Sequence, residues 1–437
     1  MVDAGADLHS PSAPGERRHI AVIGSGISGL TAAYVLQKSA DVTLYEADSR
    51  TGGHSHTHDV ADPIGGPALA VDTGFIVHNA KTYPTLLRLF DELGVQTQEA
   101  EMSMSVSCSG CGLEYAGAKG LRGLFAQPRS LTRGRYLHML SEVPTFHRAA
   151  RKLLATQGED SDQTLSAFLA AGKYSPYFVR HFITPMVAAV WSCAPSTAGS
   201  YPARYLFAFL ANHGMLSVTG SPQWRTVVGG SRSYVEKVAK ELSAVLTATP
   251  VRAVRRPAGG GAEITDDSGS TIRYDAVVVA THADQALALL TDATPLEREL
   301  LGAFHSSKNE TLLHTDASVL PKAVSAQSSW NYRMSSCLDE AQNVLVSYDM
   351  TRLQRLSTPT RYVVSLGSRE DIDPSTVLAE MNYEHPIFTP ESVAAQRRLP
   401  QLTTPSFALA GAWQGWGFHE DGARSGLTAA QALGGVW

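Results

Sequence analysis

Residues 18–53, RHIAVIGSGISGLTAAYVLQKSADVTLYEADSRTGG, contain the clearest structural pattern in the chain. The short apolar run at 20–23 is typical of a buried strand. Residues 27–38 have the pattern of a helix, and residues 41–45 that of a second strand. Together the three segments predict one βαβ unit.

Three glycines occupy the turn between the first strand and the helix in the spacing G-x-G-x-x-G: Gly24, Gly26 and Gly29. The first allows a tight turn, the second lets the backbone approach a pyrophosphate, and the third lets helix and strand pack closely. The helix N-terminus then offers free N–H groups to the phosphates. Glu46 follows about 20 positions later, where an acidic residue binds a ribose diol. The unit therefore predicts a dinucleotide site, and the acid disfavours NADP because it would repel a 2′-phosphate.

Length and composition set the outer limits of function. The chain has 437 residues, 43% of them hydrophobic, which fits about two to three domain-sized units with full cores. The net charge of −5 gives no electrostatic footprint for nucleic acid. No apolar run reaches the roughly 18 residues of a membrane span, so we expect no transmembrane segment, while peripheral membrane contact stays open. Residues 1–16 lack the apolar segment of a secretory signal, which predicts a disordered tail and a cytoplasmic protein.

The segment after the second strand carries more glycines and a group of histidines. Gly52 and Gly53 permit another close backbone approach, and Arg50 could reach a phosphate. Three histidines alternate, so on a strand they would share one face: His54, His56 and His58. That spacing could suit a metal, but no cysteine or carboxylate cluster completes it nearby. We therefore expect no metal, and expect His54 to face a cofactor ring.

Residues 103–115 alternate in polarity around a Ser-Gly turn, which predicts a β-hairpin. The hairpin contains Cys108 and Cys111 as C-x-x-C. The redox version of this motif normally opens a helix, and a zinc site needs a second pair of ligands. The remaining cysteines, Cys193 and Cys337, are isolated in the sequence. We therefore interpret the pair as small residues of a β-turn.

The middle of the chain alternates between helical and strand-like regions. Residues 120–218 are mostly helical in pattern, and two of their segments, 177–191 and 201–216, are apolar on most faces. Such helices usually form core, with a tunnel for a hydrophobic substrate as the alternative. Residues 286–400 are rich in strand patterns.

The chain then returns twice to the opening sheet. Residues 275–280 predict a buried strand followed by Thr281 and His282, and residues 407–410 predict another. A glycine-rich loop and a helix at 421–433 follow the last strand. The loop is rich in aromatic residues, which fits either packing or a wall around a planar ring: Trp413, Trp416 and Phe418.

These features resemble the flavin amine oxidase superfamily, which includes monoamine oxidases, protoporphyrinogen oxidase, phytoene desaturases and a polyunsaturated fatty acid isomerase. The whole chain is similar to a branch of bacterial NAD/FAD-binding flavoproteins that are often encoded beside cyclopropane fatty acid synthases. It is also similar to the N-terminal domain of plant cyclopropane fatty acid synthases. The stretches that carry the resemblance are GGHSHT (52–57), VDTGFIVHN (71–79), MVAAVWSC (186–193), NHGMLSV (212–218), PQWRTVVGGSRSYV (222–235), SSWNYR (328–333), YEHPIFTP (383–390) and GAWQGWGFHEDGARSG (411–426).

The resemblance implies an α/β fold with two domains. One is a discontinuous, Rossmann-like FAD-binding domain of the amine oxidase and glutathione reductase type, expected at residues 17–80, 221–285 and 401–437. The other is an inserted α+β substrate-binding domain, expected at residues 81–220 and 286–400.

The resemblance also implies FAD as the cofactor. The cysteine that attaches the flavin in monoamine oxidases has no counterpart in the Gly-Trp-Gly at 415–417, so non-covalent binding is expected. The implied binding residues follow the cofactor from pyrophosphate to pyrimidine: Gly24, Gly26 and Gly29 for the pyrophosphate, Glu46 for the adenosine ribose, Val251 for adenine through its backbone, Arg50, Gly53 and His54 along the ribityl chain and ring, and the backbone N–H groups of Gly411, Glu420, Asp421 and Gly422 near the pyrimidine.

Many members of the superfamily hold a lysine near flavin N5. Lys308, at the start of a strand-like segment, is the matching candidate, with a solvated lysine at a strand edge as the alternative. The expected catalytic and pocket residues are Lys308, His419, Trp416 and His54, with Tyr348 and Trp330 as further pocket walls.

The sequence therefore predicts an FAD-dependent oxidoreductase that moves a hydride from a hydrophobic substrate to flavin, as an oxidase or desaturase. The family neighbourhood suggests an unsaturated or modified fatty acyl chain and a place in lipid metabolism. Three alternatives stay open: an amine oxidase, a flavin-dependent double-bond isomerase, and an FAD-containing accessory partner of a methyltransferase. The flavin would supply the redox chemistry in each enzymatic case.

Overall fold

The computed structural model describes residues 17–62, 65–158, 161–217, 220–338 and 343–437, so the predicted tail at 1–16 lies outside the described residues. The strands, in chain order, are β1 His19–Ile23, β2 Asp41–Tyr45, β3 Thr57–Val60, β4 Leu69–Asp72, β5 Val77–Asn79, β6 Thr97–Glu99, β7 Met104–Cys108, β8 Leu113–Ala116, β9 Trp224–Val227, β10 Ala244–Leu246, β11 Val251–Arg255, β12 Ala262–Asp266, β13 Thr271–Tyr274, β14 Ala276–Val279, β15 His305–His314, β16 Trp330–Met334, β17 Val346–Asp349, β18 Val363–Leu366, β19 Val377–Ile387 and β20 Phe407–Leu409.

The α-helices of the described residues are α1 Ile27–Gln37, α2 Pro84–Leu93, α3 Gly120–Leu124, α4 Gly134–Thr156, α5 Leu165–Ala171, α6 Pro176–Phe178, α7 Thr184–Trp191, α8 Pro195–Ala198, α9 Ala203–Asn212, α10 Arg232–Glu241, α11 Ala283–Leu289, α12 Pro295–Gly302, α13 Met350–Leu353, α14 Pro390–Gln396 and α15 His419–Ala432. A π-helical turn, Val179–Ile183, joins α6 to α7 without a break. None of the described helices is long and apolar enough to cross a membrane.

A five-stranded parallel sheet forms the first layer, with strand order β10-β2-β1-β14-β20. Its central strands β1 and β14 are buried almost throughout because helices or other strands cover both faces. Helix α1 connects β1 to β2, as the opening stretch predicts. The strands of this sheet come from three separated parts of the chain, which the two predicted returns anticipate.

Two close backbone contacts, each at a glycine, fix the position of helix α1. A Cβ on Gly29 would overlap the carbonyl oxygen of Gly24, so the start of the helix lies directly against the preceding turn. On the other side, a Cβ on Gly426 of α15 would overlap the carbonyl oxygen of Ser28. Helix α1 is therefore held between the sheet and the last helix of the chain.

A seven-stranded mixed sheet forms the second layer, with strand order β19-β15-β18-β17-β16-β7-β8. Its neighbours pair antiparallel except for β16 and β7, which run parallel. The predicted hairpin is confirmed as β7 and β8, and the predicted helical region as α3 to α9. Three small sheets, β3-β4, β5-β9-β6 and β11-β12-β13, complete the mixed α/β fold.

The contact between α1 and α15 yields a test. We expect Gly426→Ala to lower the free energy of unfolding by about 1–3 kcal/mol, because the added methyl forces the two helices apart. Gly302→Ala is the matched control: it lies in the last turn of α12 with no atom within 4 Å of the added methyl. Chemical denaturation of both variants decides the point, and equal stability would contradict the packing argument.

Candidate functional site

A cavity of about 900 Å³ opens at the carboxyl ends of β1, β2 and β14 and extends toward the seven-stranded sheet. This volume lies near the upper end of the range of about 300–1,000 Å³ for ligand pockets. The predicted cofactor residues among its walls are Gly24, Gly26, Glu46, Gly53, His54, Val251 and Gly411.

The N-terminus of α1 points its unpaired donors at this cavity. Gly26 caps the helix without a side-chain hydrogen bond, and the first turn contains no acidic residue. The helix dipole and the first N–H groups are therefore not neutralised by the protein. A Cβ on Gly26 would meet no atom within 4 Å, which leaves the backbone open to a ligand. These observations fit a cofactor pyrophosphate.

Glu46 is fixed at the nucleotide end of the cavity. Its Oε2 accepts hydrogen bonds from the backbone N–H of Ser25, at 3.0 Å, and from the Ser25 hydroxyl. Its Oε1 accepts from the backbone N–H of Asp48, at 2.8 Å. Val251 lines the same end. The carboxylate thus stands in one position, as binding of a ribose diol requires.

A group of imidazole and carboxylate side chains lines the cavity beside Gly53. The ring of His54 lies 5.0 Å from that of Tyr383 and 5.3 Å from that of His385, centre to centre. His54 Nε2 is buried and forms no hydrogen bond within the described part of the chain. Burial holds the pKa of His54 well below its usual value and lowers that of His385 to about 4. Both imidazoles are therefore neutral at pH 7.

Three members of this group are not among the site residues predicted from the sequence. His282 Nδ1 lies 3.3 Å from Glu384 Oε2, and His385 Nδ1 lies 3.0 Å from Asn309 Nδ2. His282, Glu384 and His385 all line the cavity. The signals in the sequence are the position of His282 just after the predicted strand at 275–280, and the position of Glu384 and His385 in the stretch 383–390 that carries the family resemblance.

His419, the first residue of α15, is also part of the cavity wall. Its Nε2 lies 2.9 Å from Ser55 Oγ and 3.1 Å from Tyr234 Oη. Its ring stacks on that of Phe75 at 3.6 Å between centres. Burial lowers the pKa of His419 to about 3, so the ring is neutral and rigidly placed.

The next three residues of α15 do not line the cavity. Glu420 accepts hydrogen bonds from the backbone N–H groups of Thr85 and Leu86, both at 3.0 Å, and so caps α2. Asp421 accepts from the N–H of Phe418 at 3.1 Å, and burial raises its pKa to about 6. Gly422 donates its N–H to the carbonyl of Phe418 at 3.0 Å.

These bonds correct part of the predicted flavin contact. The N–H of Gly422 is used within the helix, and the N–H of Gly411 donates to Ser425 Oγ at 2.9 Å. Neither N–H is free for the flavin pyrimidine. Gly422 instead provides space, because a Cβ there would lie 3.0 Å from Ser28 Oγ and closer still to the side chain of Ile27.

Three further predicted residues lie away from the cavity wall. Lys308 is 84% exposed, with Nζ 3.8 Å from Glu384 Oε1, so the structure supports the solvated lysine and not a catalytic one. Trp416 packs behind the wall against Phe209, at 5.8 Å between ring centres. Arg50 lies 3.4 Å from Asp48, and its Nη1 is buried without a hydrogen-bond partner among the described residues.

The alternating histidines separate into a pair and a single residue. The rings of His56 and His58 lie 4.1 Å apart, centre to centre, and His56 Nδ1 contacts Tyr383 Oη at 2.9 Å. His54 instead lines the cavity, and the three do not form a group of converging ligand atoms in the described residues.

The other end of the cavity is apolar. Its walls come mainly from the second layer and from the helices around residue 200: Ile76, Met102, Met104, Val190, Phe209, Met215, Tyr348 and Leu366. Trp330 lines it too, with a buried indole N–H that has no partner among the described residues. The apolar helices thus supply both core and cavity wall, because one face of α9 packs inward while Phe209 reaches the cavity.

Residues 27–434 match the family described as flavin containing amine oxidoreductase. The chain belongs to that family. The predicted FAD cofactor and the class of enzyme, a flavin-dependent oxidoreductase, are thereby confirmed. The predicted α/β fold with a Rossmann-like nucleotide-binding layer is confirmed as well.

Known members and solved structures resemble this oxidoreductase to different extents. A probable flavin-containing monoamine oxidase A of Dictyostelium discoideum is 25% identical over 285 residues, which span 60% of this chain and 56% of that protein. A fatty acid isomerase from P. acnes that produces CLA superposes with a TM-score of 0.70 at 16% identity, over 97% of this chain and 100% of the isomerase. Cyclohexylamine oxidase from Brevibacterium oxydans gives 0.68 at 16% identity, over 96% and 99%. At these identities, the structural likeness shows the fold alone.

The neutral histidines of the flavin oxidoreductase predict how its stability depends on pH. The pKa of His385 falls from about 6.5 in an unfolded chain to about 4 in the folded protein, so its contribution is complete above pH 6.5 and is lost as the pH falls toward 4. As the pH falls through that window, the free energy of unfolding should therefore decrease less steeply in His385→Asn than in the wild type, by up to about 1.4 kcal/mol per pH unit. His138→Asn, at a position 64% exposed on α4, is the control. Denaturation at a series of pH values measures both slopes, and an unchanged slope in His385→Asn would contradict the assignment.

Proposed function

We propose that this protein takes a hydride from a hydrophobic substrate, an unsaturated or modified fatty acyl chain, and delivers it to non-covalently bound FAD as an oxidase or desaturase of lipid metabolism. The observation that carries the proposal is the continuity of one cavity from the nucleotide-binding turn to an apolar end. A carbon chain in the apolar end would reach the ring of a cofactor bound at the turn.

The residues present fit a non-covalent cofactor. The uncapped N-terminus of α1 would hold the pyrophosphate and Glu46 the ribose. None of the four cysteines lines the cavity, so none can bond to the flavin ring. Bound FAD supplies the redox chemistry: it accepts a hydride from the substrate and passes the electron pair to an acceptor.

The chain's own residues would position the substrate and exclude water. His54, His385 and His419 are neutral at pH 7 and present no charge to an apolar chain. The free indole N–H of Trp330 can donate to the carbonyl or carboxylate at the polar end of a fatty acyl substrate. The hydride leaves with both electrons of its C–H bond, and the proton that the neighbouring carbon loses as the double bond forms would pass to a neutral imidazole of the cavity wall such as His385.

Anaerobic bleaching of the flavin tests the proposal. Unsaturated or methyl-branched fatty acyl substrates should bleach the flavin absorbance of the wild type. Met104→Gln should raise the half-bleaching concentration about tenfold, because a nearly isosteric polar group replaces an apolar contact. Leu378→Gln, at a position 49% exposed on β19, is the control.

Other outcomes identify the alternatives. Bleaching by amines and not by lipids would overturn the lipid proposal. Double-bond migration without oxygen uptake would indicate the isomerase. A flavin that no substrate bleaches, in a protein that binds a methyltransferase tightly, would indicate the accessory role.

The amine oxidase is the second candidate, favoured by the family and by one wall residue. Glu384 lines the cavity next to His282, and its carboxylate could pair with a protonated amine before proton loss. In that case amines would release hydrogen peroxide, and Glu384→Gln should raise the KM for amines at least about tenfold. The same variant should leave bleaching by a fatty acyl chain nearly unchanged.

A further inference from the structure

Three cysteines and one histidine meet about one point on the second layer, in a group that we name the cysteine–histidine cluster: Cys108, Cys111, His181 and Cys337. Their sulfur and nitrogen ligand atoms all lie within 4.8 Å of one another. Cys108 and Cys337 approach to 3.7 Å between sulfurs, and Cys111 Sγ lies 3.7 Å from His181 Nε2. None of the four lines the cavity.

The fold brings these residues together through long-range pairing. Cys108 ends β7, which runs parallel to β16 with Cys108 opposite Met334, so the chain after β16 passes the hairpin turn. The N–H of Ser109 donates to the carbonyl of Met334 at 2.9 Å. A Cβ on Gly110 would lie 2.8 Å from the backbone nitrogen of Cys337, so glycine permits the approach.

The turn and the histidine are held in a geometry that suits ligation. The N–H of Gly112 donates to the carbonyl of Cys108 at 2.7 Å, and Gly112 has a φ of +66°, which an L side chain rarely adopts. His181 lies in the π-helical turn with Nδ1 3.2 Å from the carbonyl of Tyr177 and its ring stacked on that of Tyr177. A proton on Nδ1 leaves the lone pair of Nε2 toward Cys111, the arrangement that orients histidine ligands in metal sites.

The geometry points to a structural zinc site at the cysteine–histidine cluster. Tetrahedral zinc with Zn–S bonds of about 2.3 Å and a Zn–N bond of about 2.0–2.1 Å separates neighbouring ligand atoms by about 3.6–3.8 Å. The separations of 3.7 Å between Cys108 and Cys337 and between Cys111 and His181 match that value. A disulfide needs sulfurs at about 2.05 Å, so Cys108 and Cys337 are not bonded to each other.

The charges at the cluster suit a divalent, thiophilic ion. Binding forms three Zn–S bonds and one Zn–N bond, releases three thiol protons to water and changes no oxidation state. The site then carries a net charge of −1. Arg133 lies beside it, with Nη1 4.0 Å from Cys111 Sγ, and offsets that charge. Three thiolates and an imidazole in a tetrahedron select zinc over calcium and magnesium, which prefer oxygen ligands.

The site would join three parts of the second layer. It links the β7–β8 hairpin and the segment after β16 to the helix that runs from Pro176 to Trp191. The last residues of that helix, Ala189 to Trp191, line the cavity. The C-x-x-C pair alone predicts no metal, because a zinc site needs a second pair of ligands. In the folded chain Cys337 and His181 would supply that pair from distant parts of the sequence.

Metal analysis of the full-length, FAD-containing protein tests the assignment. Plasma mass spectrometry should find about one zinc per chain, and zinc K-edge absorption of the wild type should show three sulfur neighbours and one nitrogen. Cys111→Ser and Cys337→Ser should each lose most of the zinc, while Cys193→Ser, at a buried cysteine outside the cluster, should keep it. A mercurial reagent should release the zinc as three thiols react, and chelation should lower the melting temperature.

Several results would overturn the zinc site. The wild type, expressed with ample zinc, could contain less than about a tenth of an equivalent of zinc, or iron with acid-labile sulfide in its place. A native disulfide could join two of Cys108, Cys111 and Cys337. Finally, Cys193→Ser could lose as much zinc as the cluster variants. Flavin absorbance of each variant reports whether it folded. If the variants do not fold, the zinc K-edge absorption spectrum of the wild type still tests the zinc site.

Discussion

The rest of the structure depends on how closely helix α1 approaches its neighbours. No side chain separates its first turn from the β1–α1 loop at Gly29, and none separates it from α15 at Gly426. The two N-termini of α1 and α15 consequently meet at one cavity. They differ in charge, because the first turn of α1 has no acidic residue, whereas the first turn of α15 contains Glu420 and Asp421. Of these two helix ends, that of α1 is therefore the one whose charge suits the phosphates of a dinucleotide.

The acids of α15 have structural partners that explain their presence at a helix N-terminus. Glu420 satisfies two N–H groups at the start of α2, and Asp421 satisfies the N–H of Phe418. They tie α15 to α2 and to the aromatic loop. Negative charge at this helix end also opposes further negative charge nearby, such as that of a reduced flavin. The carboxylates of Glu420 and Asp421 largely offset the positive end of the α15 dipole.

The sequence predicts the nucleotide-binding layer well because its signals are local. Glycine spacing, short apolar runs and an acid at a fixed distance specify β1, α1 and β2, and two similar runs specify β14 and β20. The positions of Lys308 and Trp416 depend instead on which face of β15 is covered and on the packing behind the aromatic loop. The meeting of Cys337 with Cys108 depends on the parallel register of β16 and β7. Pairings of this kind join residues more than 200 positions apart, and no local pattern encodes them.

The residues that a substrate would contact lie mainly outside the nucleotide-binding layer. Away from the nucleotide-binding turn, the cavity is lined mainly by apolar residues of the second layer and of the helices around residue 200, which a substrate would meet. The helix from Pro176 to Trp191 contributes its C-terminal end to the cavity wall. It ends at Ser192, whose backbone is left-handed with a φ of +51°. The carbonyl of Ser192 accepts a hydrogen bond from Ser307 Oγ at 3.3 Å, which ties the cavity wall to β15.

A π-helical turn at the other end rotates the helix relative to a regular one. The direction of Val190 and Trp191 toward the cavity therefore depends on how His181 is held. The wall that faces the substrate is therefore positioned by contacts outside the cavity as well as by its own side chains.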